Sequence, residues 1–108
     1  MKQQEWAAKI FKALGHPIRY KIAKFLADGP HCVCELNQDV EFSQSNLSQH
    51  LRILREAGLV SSEKDGLRIF YRLTDSSIGE LINRVEALSR LILTQISASI
   101  SLDEEDVS

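Results

Sequence analysis

The chain has 108 residues, a length that fits one small globular domain. Hydrophobic residues make up 44% of it and charged residues 26%, and it contains neither a long apolar run nor a charged start followed by an apolar stretch. We therefore expect no membrane span, no signal peptide and a cytoplasmic location.

The distribution of charge along the chain matters more than its sum. The formal net charge is −2, but four acidic residues follow one another at 103–106, and without them the remaining residues carry +2. A run of like charges is typical of a disordered, solvated segment. We expect one domain over residues 1–102 and an acidic, disordered tail over residues 103–108, and the net charge does not exclude a nucleic-acid partner.

The first part of the chain predicts three helices in close succession. Apolar residues recur at helical spacing from Gln3 to Leu14, and Gly15 follows as a stop. Pro17 suits the first turn of a second helix, which ends at Gly29-Pro30. The segment Cys32–Gln38 predicts a third helix of about two turns.

A longer fourth helix is predicted over Gln44–Ala57. Ser43 offers an N-cap at its start, leucines recur at helical spacing within it, and Gly58 offers a stop at its end. The third and fourth helices together have the order of a helix-turn-helix motif.

A β-hairpin and a long helix complete the predicted order. Leu59–Lys64 and Leu67–Leu73 are predicted strands, and Asp65-Gly66 between them is a strong signal for a tight turn. Thr74 or Asp75 then caps a helix whose apolar face is longer than so small a core requires, so we expect a partner to cover it. The order predicts a mainly α fold with a β-hairpin wing: a winged helix-turn-helix domain with an extra dimerisation helix at each end.

Three motifs resemble a known family. The first is Ala13-Leu14-Gly15-His16-Pro17-Ile18-Arg19, with Ile22 and Leu26 after it. The second is the run SQSNLSQHLRILREAGLV over residues 43–60, and the third consists of the wing residues Gly66, Arg68, Tyr71, Arg72 and Leu73. Over about residues 11–73 the chain is thus similar to the ArsR/SmtB family of bacterial metal-responsive repressors. The resemblance implies a DNA-binding transcriptional repressor.

No catalytic constellation accompanies these motifs. The histidines His16, His31 and His50 lack a plausible nucleophile as partner, and no Gly-rich phosphate loop is present. We therefore expect neither enzymatic activity nor a permanent cofactor.

The two cysteines of the chain, Cys32 and Cys34, are separated by one residue. A bridge across so short a loop gains little and is strained, so in a reducing cytosol we interpret the pair as ligands or reactive thiols. The run His31-Cys32-Val33-Cys34-Glu35-Leu36 resembles the thiolate site of the arsenical and soft-metal branch of the family, whose third cysteine position is Asn37 here. The resemblance implies that Cys32 and Cys34 bind the metal. His31, next to Cys32 in the chain, is a further candidate donor.

Three roles remain open for the cysteine pair. Side chains two residues apart on a helix point about 200° away from each other, so one ion on both thiolates would deform the helix and compete with DNA docking. Sulfur ligands favour arsenite, antimonite or another thiophilic ion as the inducer. Alternatively, oxidation or persulfide formation releases the DNA, or both cysteines are merely small buried residues.

The start of the fourth helix and the wing hold the candidate DNA contacts. The candidates for base contacts are Gln44, Ser45, Asn46, Ser48 and Gln49, and those for phosphate contacts are Arg52, Arg55, Lys64, Arg68 and Arg72. Each of these side chains alone is equally typical of a cap or a solvated surface, but their concentration on one helix and one hairpin favours DNA. Because one module makes few base contacts, we expect a homodimer on a double-stranded operator with an inverted repeat.

Overall fold

The computed structural model describes residues 2–39, 42 and 46–107 of the chain, and from residue 100 onward its backbone alone. The described elements are, in chain order, α1 (Gln3–Leu14), α2 (Pro17–Phe25), a 3-10 turn (Leu26–Asp28), β1 (His31–Cys32), α3 (Val33–Gln38), α4 (Leu47–Glu56), β2 (Val60–Asp65), β3 (Arg68–Leu73) and α5 (Ser76–Val107). The predicted mainly α class with a β-hairpin is confirmed. The sheet has a further strand, β1, and its order is β1-β3-β2.

The first helix has the bounds that its apolar spacing predicts, and the second begins at Pro17 as predicted but ends as an α-helix at Phe25, where a 3-10 turn continues to Asp28 before the predicted stop at Gly29. Between them, the Nδ1 atom of His16 accepts a hydrogen bond of 3.1 Å from the amide of Ile18, so the histidine caps α2 while Pro17 occupies its first turn. Arg19 then returns to α1, because its Nε atom donates to the carbonyl oxygen of Ala13 at 2.6 Å. These contacts fix the angle at which the chain enters the rest of the domain.

The predicted start of the third helix is wrong by one residue, with a large consequence. Cys32 has extended backbone angles, φ −72° and ψ 145°, and lies in β1 opposite Phe70 of β3. It is the N-cap of α3, where its sulfur accepts from backbone N–H groups while the carboxylate of Glu35 accepts from the Cys32 amide at 3.5 Å. This reciprocal capping box satisfies the first amides of α3 and ends the strand at the same residue.

The fourth helix begins at Leu47 in the structure, whereas the sequence predicted a start at Gln44. The predicted cap, Ser43, and the first predicted turn lie outside the described residues. Asn46 precedes the helix with φ −80° and ψ 75° and makes no side-chain capping bond. At the other end the stop is confirmed, since Gly58 has a φ of 81°, in the left-handed region that glycine tolerates best.

The hairpin turns one residue later than predicted. Asp65 and Arg68 are direct partners in the β2–β3 register, so the two loop residues are Gly66 and Leu67. Gly66 has a φ of 63°, and among the described residues positive φ occurs only at glycines. A positive φ at the first of two loop residues fits a type II′ turn, whose twist suits a hairpin.

The core lies between α2, α3, α4 and the base of the hairpin. Ile22, Leu36 and Leu54 are completely buried there. Leu47 and Leu51 join Leu54 on the buried face of α4, as their spacing predicted. α4 is therefore held by the same apolar cluster that holds α3.

The last helix begins as predicted but extends further. The carboxylate of Asp75 accepts a hydrogen bond of 2.9 Å from the amide of Ser77 and so caps α5. Glu86 then ties α5 to α2 by accepting from the hydroxyl of Tyr20 at 3.3 Å and pairing with Lys24 at 2.8 Å.

Among the described residues, no helix is both long and apolar enough to cross a membrane, α5 included.

The sequence predicted a disordered tail from residue 103, but the backbone is helical to Val107. No glycine or proline follows Gly79, so nothing in the later sequence breaks the helix that Asp75 starts. Residue 102 therefore marks a change in charge and not an end of secondary structure.

Candidate DNA-binding surface and thiol site

A groove of about 440 Å³ separates α4 from the wing. Its polar lining comes from the residues Asn46, Ser48, Gln49, Arg52 and Arg55, and its apolar lining from Val33, Leu51, Ile69 and Tyr71. Five of the predicted DNA contacts on the fourth helical segment, Arg55 among them, thus meet along one groove. Of the remaining candidates on this segment, Gln44 and Ser45 lie outside the described residues.

Two of the polar side chains on α4 are coupled to each other. The guanidinium of Arg52 donates to the Oε1 atom of Gln49 at 3.1 Å, one helical turn away. Both side chains are exposed, so either can exchange this bond for a contact with DNA. The pair places a planar amide and a cation side by side, which suits one base edge and the neighbouring phosphate.

The hairpin divides the basic wing residues between two faces. Lys64 lies opposite Ile69, and cross-strand partners share a face, so Lys64 is on the side of the sheet that lines the groove. Arg68 and Arg72 alternate with Ile69 and therefore occupy the other face. The Nε atom of Arg72 donates to the hydroxyl of its partner Ser61 at 3.2 Å. The structure does not bring all three basic wing residues together.

The thiol site lies at the junction of β1 and α3. Cys32 and Cys34 are joined by a disulfide, with Cα atoms 5.1 Å apart, and the amide of Cys34 donates to the Cys32 sulfur at 3.2 Å. Cys32 is buried at 3% exposure, whereas Cys34 is exposed. The expectation that the two side chains diverge is wrong, because it assumed that both residues are helical, and Cys32 is in the strand.

His31 is held between two carboxylates. Its Nδ1 atom lies 2.6 Å from Glu35 Oε2 and its Nε2 atom 2.9 Å from Asp28 Oδ1, while its ring packs on Phe25 with centroids 4.3 Å apart. Ionised carboxylates only accept, so both ring nitrogens must donate, which describes the protonated imidazole. The hydrogen bond to Glu35, and after it the contact with Asp28, raises the pKa of His31 above 6.5 against the opposing effect of burial.

This arrangement bears on the predicted metal site. A protonated imidazole has no free lone pair, so His31 does not offer a nitrogen ligand in this geometry. Asn37, at the position of the third thiol in the resembling site, is exposed on α3. Over residues 2–39, 42 and 46–107, no group of three or more histidine, cysteine, aspartate or glutamate side chains could hold a metal ion. The two sulfurs stand without a third protein ligand in this part of the chain.

A second histidine links α4 to the first two helices. The ring of His50 packs on that of His16 with centroids 4.5 Å apart, and its Nδ1 atom lies 3.4 Å from Nη1 of Arg19. Burial, and then the charges of His16 and Arg19, lower the pKa of His50 below 6.5. The neutral ring therefore serves as a packing and hydrogen-bonding group between helices, as its lone position in the sequence indicated.

Sequence reasoning missed the roles of Asp28 and Glu35. Glu35 stands three residues after the N-cap and four after His31, which is the spacing of a capping box and of a helical ion pair. Cysteine is not a usual N-cap residue, so the capping signal was not recognised. Asp28 had no comparable signal, because it lies in the 3-10 turn before β1.

These features define a class of protein. A short helix and a longer helix share a core, the longer one exposes polar and basic side chains, and a hairpin stands beside it: this is a winged helix-turn-helix DNA-binding protein. A profile of the family described as "Bacterial regulatory protein, arsR family" matches residues 16–62.

Known proteins resemble the chain over most of its length. The uncharacterized HTH-type transcriptional regulator MJ1325 of Methanocaldococcus jannaschii is 42% identical over 89 residues, which cover 82% of this chain and 100% of that protein. The biofilm growth-associated repressor of Xylella fastidiosa is 37% identical over 94 residues, covering 87% of this chain and 80% of that one. The crystal structure of Rv0081 from M. tuberculosis matches with a TM-score of 0.69 at 34% identity, over 89% of this chain and 94% of that chain.

The chain therefore belongs to the ArsR family of DNA-binding transcriptional repressors, and it is not an enzyme.

His31 and His50 are expected to have pKa values on opposite sides of the ordinary histidine value of 6.5. In a pH titration followed by the NMR signals of the ring protons, His31 should keep its proton to a higher pH than His50.

The raised pKa of His31 stabilises the fold below pH 6.5, and this contribution is lost as pH rises through its folded-state pKa. The lowered pKa of His50 acts oppositely: stability falls as pH drops below 6.5, because the unfolded chain then binds more protons. The reverse order of titration would contradict both environments.

Proposed function

We propose that the chain is a homodimeric repressor that binds a double-stranded operator with an inverted repeat and leaves it when Cys32 and Cys34 react together. The observation that supports this most directly is the meeting of the two sulfurs at the junction of β1 and α3, where Cys32 pairs with the wing strand. A chemical change there acts on an element that contacts the DNA-binding surface. The protein works in the cytoplasm in this proposal.

Reversible oxidation is the chemistry that the arrangement favours. Exposed Cys34 attacks a hydroperoxide, which breaks the O–O bond and leaves a sulfenic acid and one molecule of water or alcohol. The thiol of Cys32 then displaces the sulfenic oxygen as a second water, and the disulfide forms. Two thiols thereby lose two electrons and two protons, which the peroxide accepts. A ring that encloses only one residue between its cysteines constrains the unfolded chain little, so this bond is better suited to switching than to stabilising the fold.

A trivalent metalloid is the second candidate inducer. Arsenite or antimonite takes sulfur ligands, and the backbone at the β1–α3 junction lets the two sulfurs converge without unwinding a helix. Exposed Cys34 offers an entry route, and a water-derived hydroxide or a small external thiol would complete the coordination. No third protein ligand is required by this version.

The thiol proposal is tested by operator affinity in two redox states. The probe is a fluorescent duplex selected by the reduced protein from a library of inverted repeats, and affinity is measured by anisotropy under dithiothreitol and after peroxide treatment and removal. We expect the oxidised protein to bind about 5- to 150-fold more weakly, the usual range for coupled sites. Cys32→Ser and Cys34→Ser cannot form the bridge, so both should bind equally before and after peroxide.

Arsenite added under reducing conditions forms the third arm of that experiment. Release by arsenite without release by peroxide would assign the site to the metalloid. Release by neither, with disulfide formation verified by mass spectrometry of alkylated thiols, would remove the cysteines from the mechanism. Failure to select any duplex at low salt would contradict the operator itself.

We further propose that the DNA contacts come from the polar side of the groove. Asn46, Ser48 and Gln49 read base edges there, while Arg52 and Lys64 contact phosphates from α4 and from the groove face of the wing. Gln44 and Ser45, which lie outside the described residues, belong to the same polar run in the sequence. Arg68 and Arg72, on the opposite face of the hairpin, contribute to DNA binding mainly through their charge.

Salt dependence separates the two faces of the wing. Arg52→Ala and Lys64→Ala should each weaken binding on every sequence and lower the slope of log K against log salt by about 1, since each removes one phosphate contact. Arg72→Ala is the matched control: it removes the same charge from the opposite face and should change the slope by less than half as much. Equal slopes for Lys64→Ala and Arg72→Ala would contradict the assignment of the groove face.

The homodimer is proposed from the exposed apolar stripe of α5. Val85, Leu88, Ile92 and Ile96 recur every three or four residues, and each exposes between 36% and 54% of its surface. Phe11 of α1 adds a further exposed apolar side chain at 65%. A second copy would cover such a stripe and place two recognition helices on successive half-sites.

Oligomeric state tests the dimer directly. The wild type should sediment at twice the chain mass of 12.2 kDa, whereas Leu88→Glu, which puts a carboxylate into the stripe, should sediment as a monomer. Leu67→Glu introduces the same charge at a completely exposed leucine of the hairpin and should remain dimeric. A Leu88→Glu dimer would place the interface elsewhere.

A further inference from the structure

We propose that Val33 couples the redox state of Cys32 and Cys34 to the DNA-binding groove. Tyr71 is the residue of the wing that responds to the position of Val33. This inference rests on the proposed function of Cys32 and Cys34. It replaces the expectation that the pair acts by distorting α3 as a whole.

Val33 adjoins both the cysteine pair and the DNA-binding groove. Along the chain it stands between the two sulfur-bearing residues, and the bond between Cys32 and Cys34 closes a ring around it. In space it is half-buried, packs against the core and lines the groove together with Tyr71 and Leu51. It is thus the point at which α3 reaches the surface formed by α4 and the wing.

The ring controls where this side chain points. Valine is branched at Cβ and has one strongly preferred rotamer in a helix, so its direction follows the backbone angles at its own position. With the disulfide formed, residues 32–34 are held in one backbone arrangement. With both thiols free, only hydrogen bonds of the capping box hold the segment, and Val33 can adjust when the groove closes on DNA.

The receiving side is the wing strand. Tyr71 is half-buried, lies opposite His31 in the register with β1, and packs against the same core as Val33. Its side of the sheet also carries Lys64 of β2, the cross-strand partner of the groove residue Ile69. A fixed Val33 therefore fixes the distance between the wing and α4, and that distance must match the spacing of the DNA contacts.

The test compares, between variants, the ratio of operator affinity in the reduced state to that in the oxidised state. For each variant, the dissociation constant for the selected operator duplex is measured in the reduced and in the peroxide-treated state. Val33→Ala should move the ratio of the two constants toward one by about 2- to 30-fold, the range for residues that couple two sites. Val33→Ile keeps the branched Cβ and should keep most of the ratio.

Two further variants control for packing. Ile53→Val removes one methylene group from a half-buried side chain of α4 that lines a different cavity, against α1, and should leave the ratio unchanged. Tyr71→Leu acts from the receiving side and should lower the ratio as Val33→Ala does, which keeps the test open if Val33→Ala fails to fold. A wild-type ratio retained in Val33→Ala or Tyr71→Leu would overturn the inference.

A direct spectroscopic measurement distinguishes this inference from the proposed function. The ring signals of Tyr71 should shift between the reduced and oxidised wild type, and the shift should disappear in Val33→Ala. If these signals shift while operator affinity does not change, the cysteine pair is coupled to Tyr71 through Val33, and the proposed repressor switch is wrong. If affinity changes while Tyr71 stays unmoved, the switch stands and the route through Val33 is wrong.

Discussion

The pairing of a two-residue strand with the wing is the contact on which the organisation of this protein depends. His31 and Cys32 form β1, and their partners Tyr71 and Phe70 belong to β3. Without this pairing, the cysteines would sit in a loop before α3, and the wing would be held to the domain only by the core contacts at its base. With it, the thiol pair and a DNA-binding element are parts of one sheet. A two-residue strand offers few hydrogen bonds, each with a net worth of about 1 kcal/mol, so a modest chemical change is enough to disturb it.

Much of the fold could be predicted because its signals are local. The bounds of α1 follow from apolar spacing and a following glycine, and the hairpin follows from a turn signal between two strands of β-forming residues. The turn itself is displaced by one residue, which moves each cross-strand partner by two and so preserves the alternation of faces. β1 could not be predicted, because a strand of two residues has no period, and its partner Tyr71 lies about forty positions away.

The site was predictable in its residues and not in its geometry. Two cysteines beside a helix-turn-helix stand out in any sequence, yet whether they converge depends on one backbone angle at Cys32. The role of His31 likewise depends on Asp28, which the 3-10 turn presents to it, and on Glu35. Such roles are set by tertiary contacts that the spacing of residue types does not encode. The DNA candidates on α4 were easier, because a helix with one buried face must expose the other.

The exposed stripe on α5 also affects how the protein would respond to its own abundance. In the proposed dimer, a single chain has one recognition helix and cannot span two half-sites. Below the dissociation constant of the dimer, occupancy of an operator then rises with the square of the number of chains in the cell. A modest change in expression would therefore shift repression steeply. The strength of a helix–helix contact far from the thiols would set the protein concentration above which the state of the cysteines affects repression.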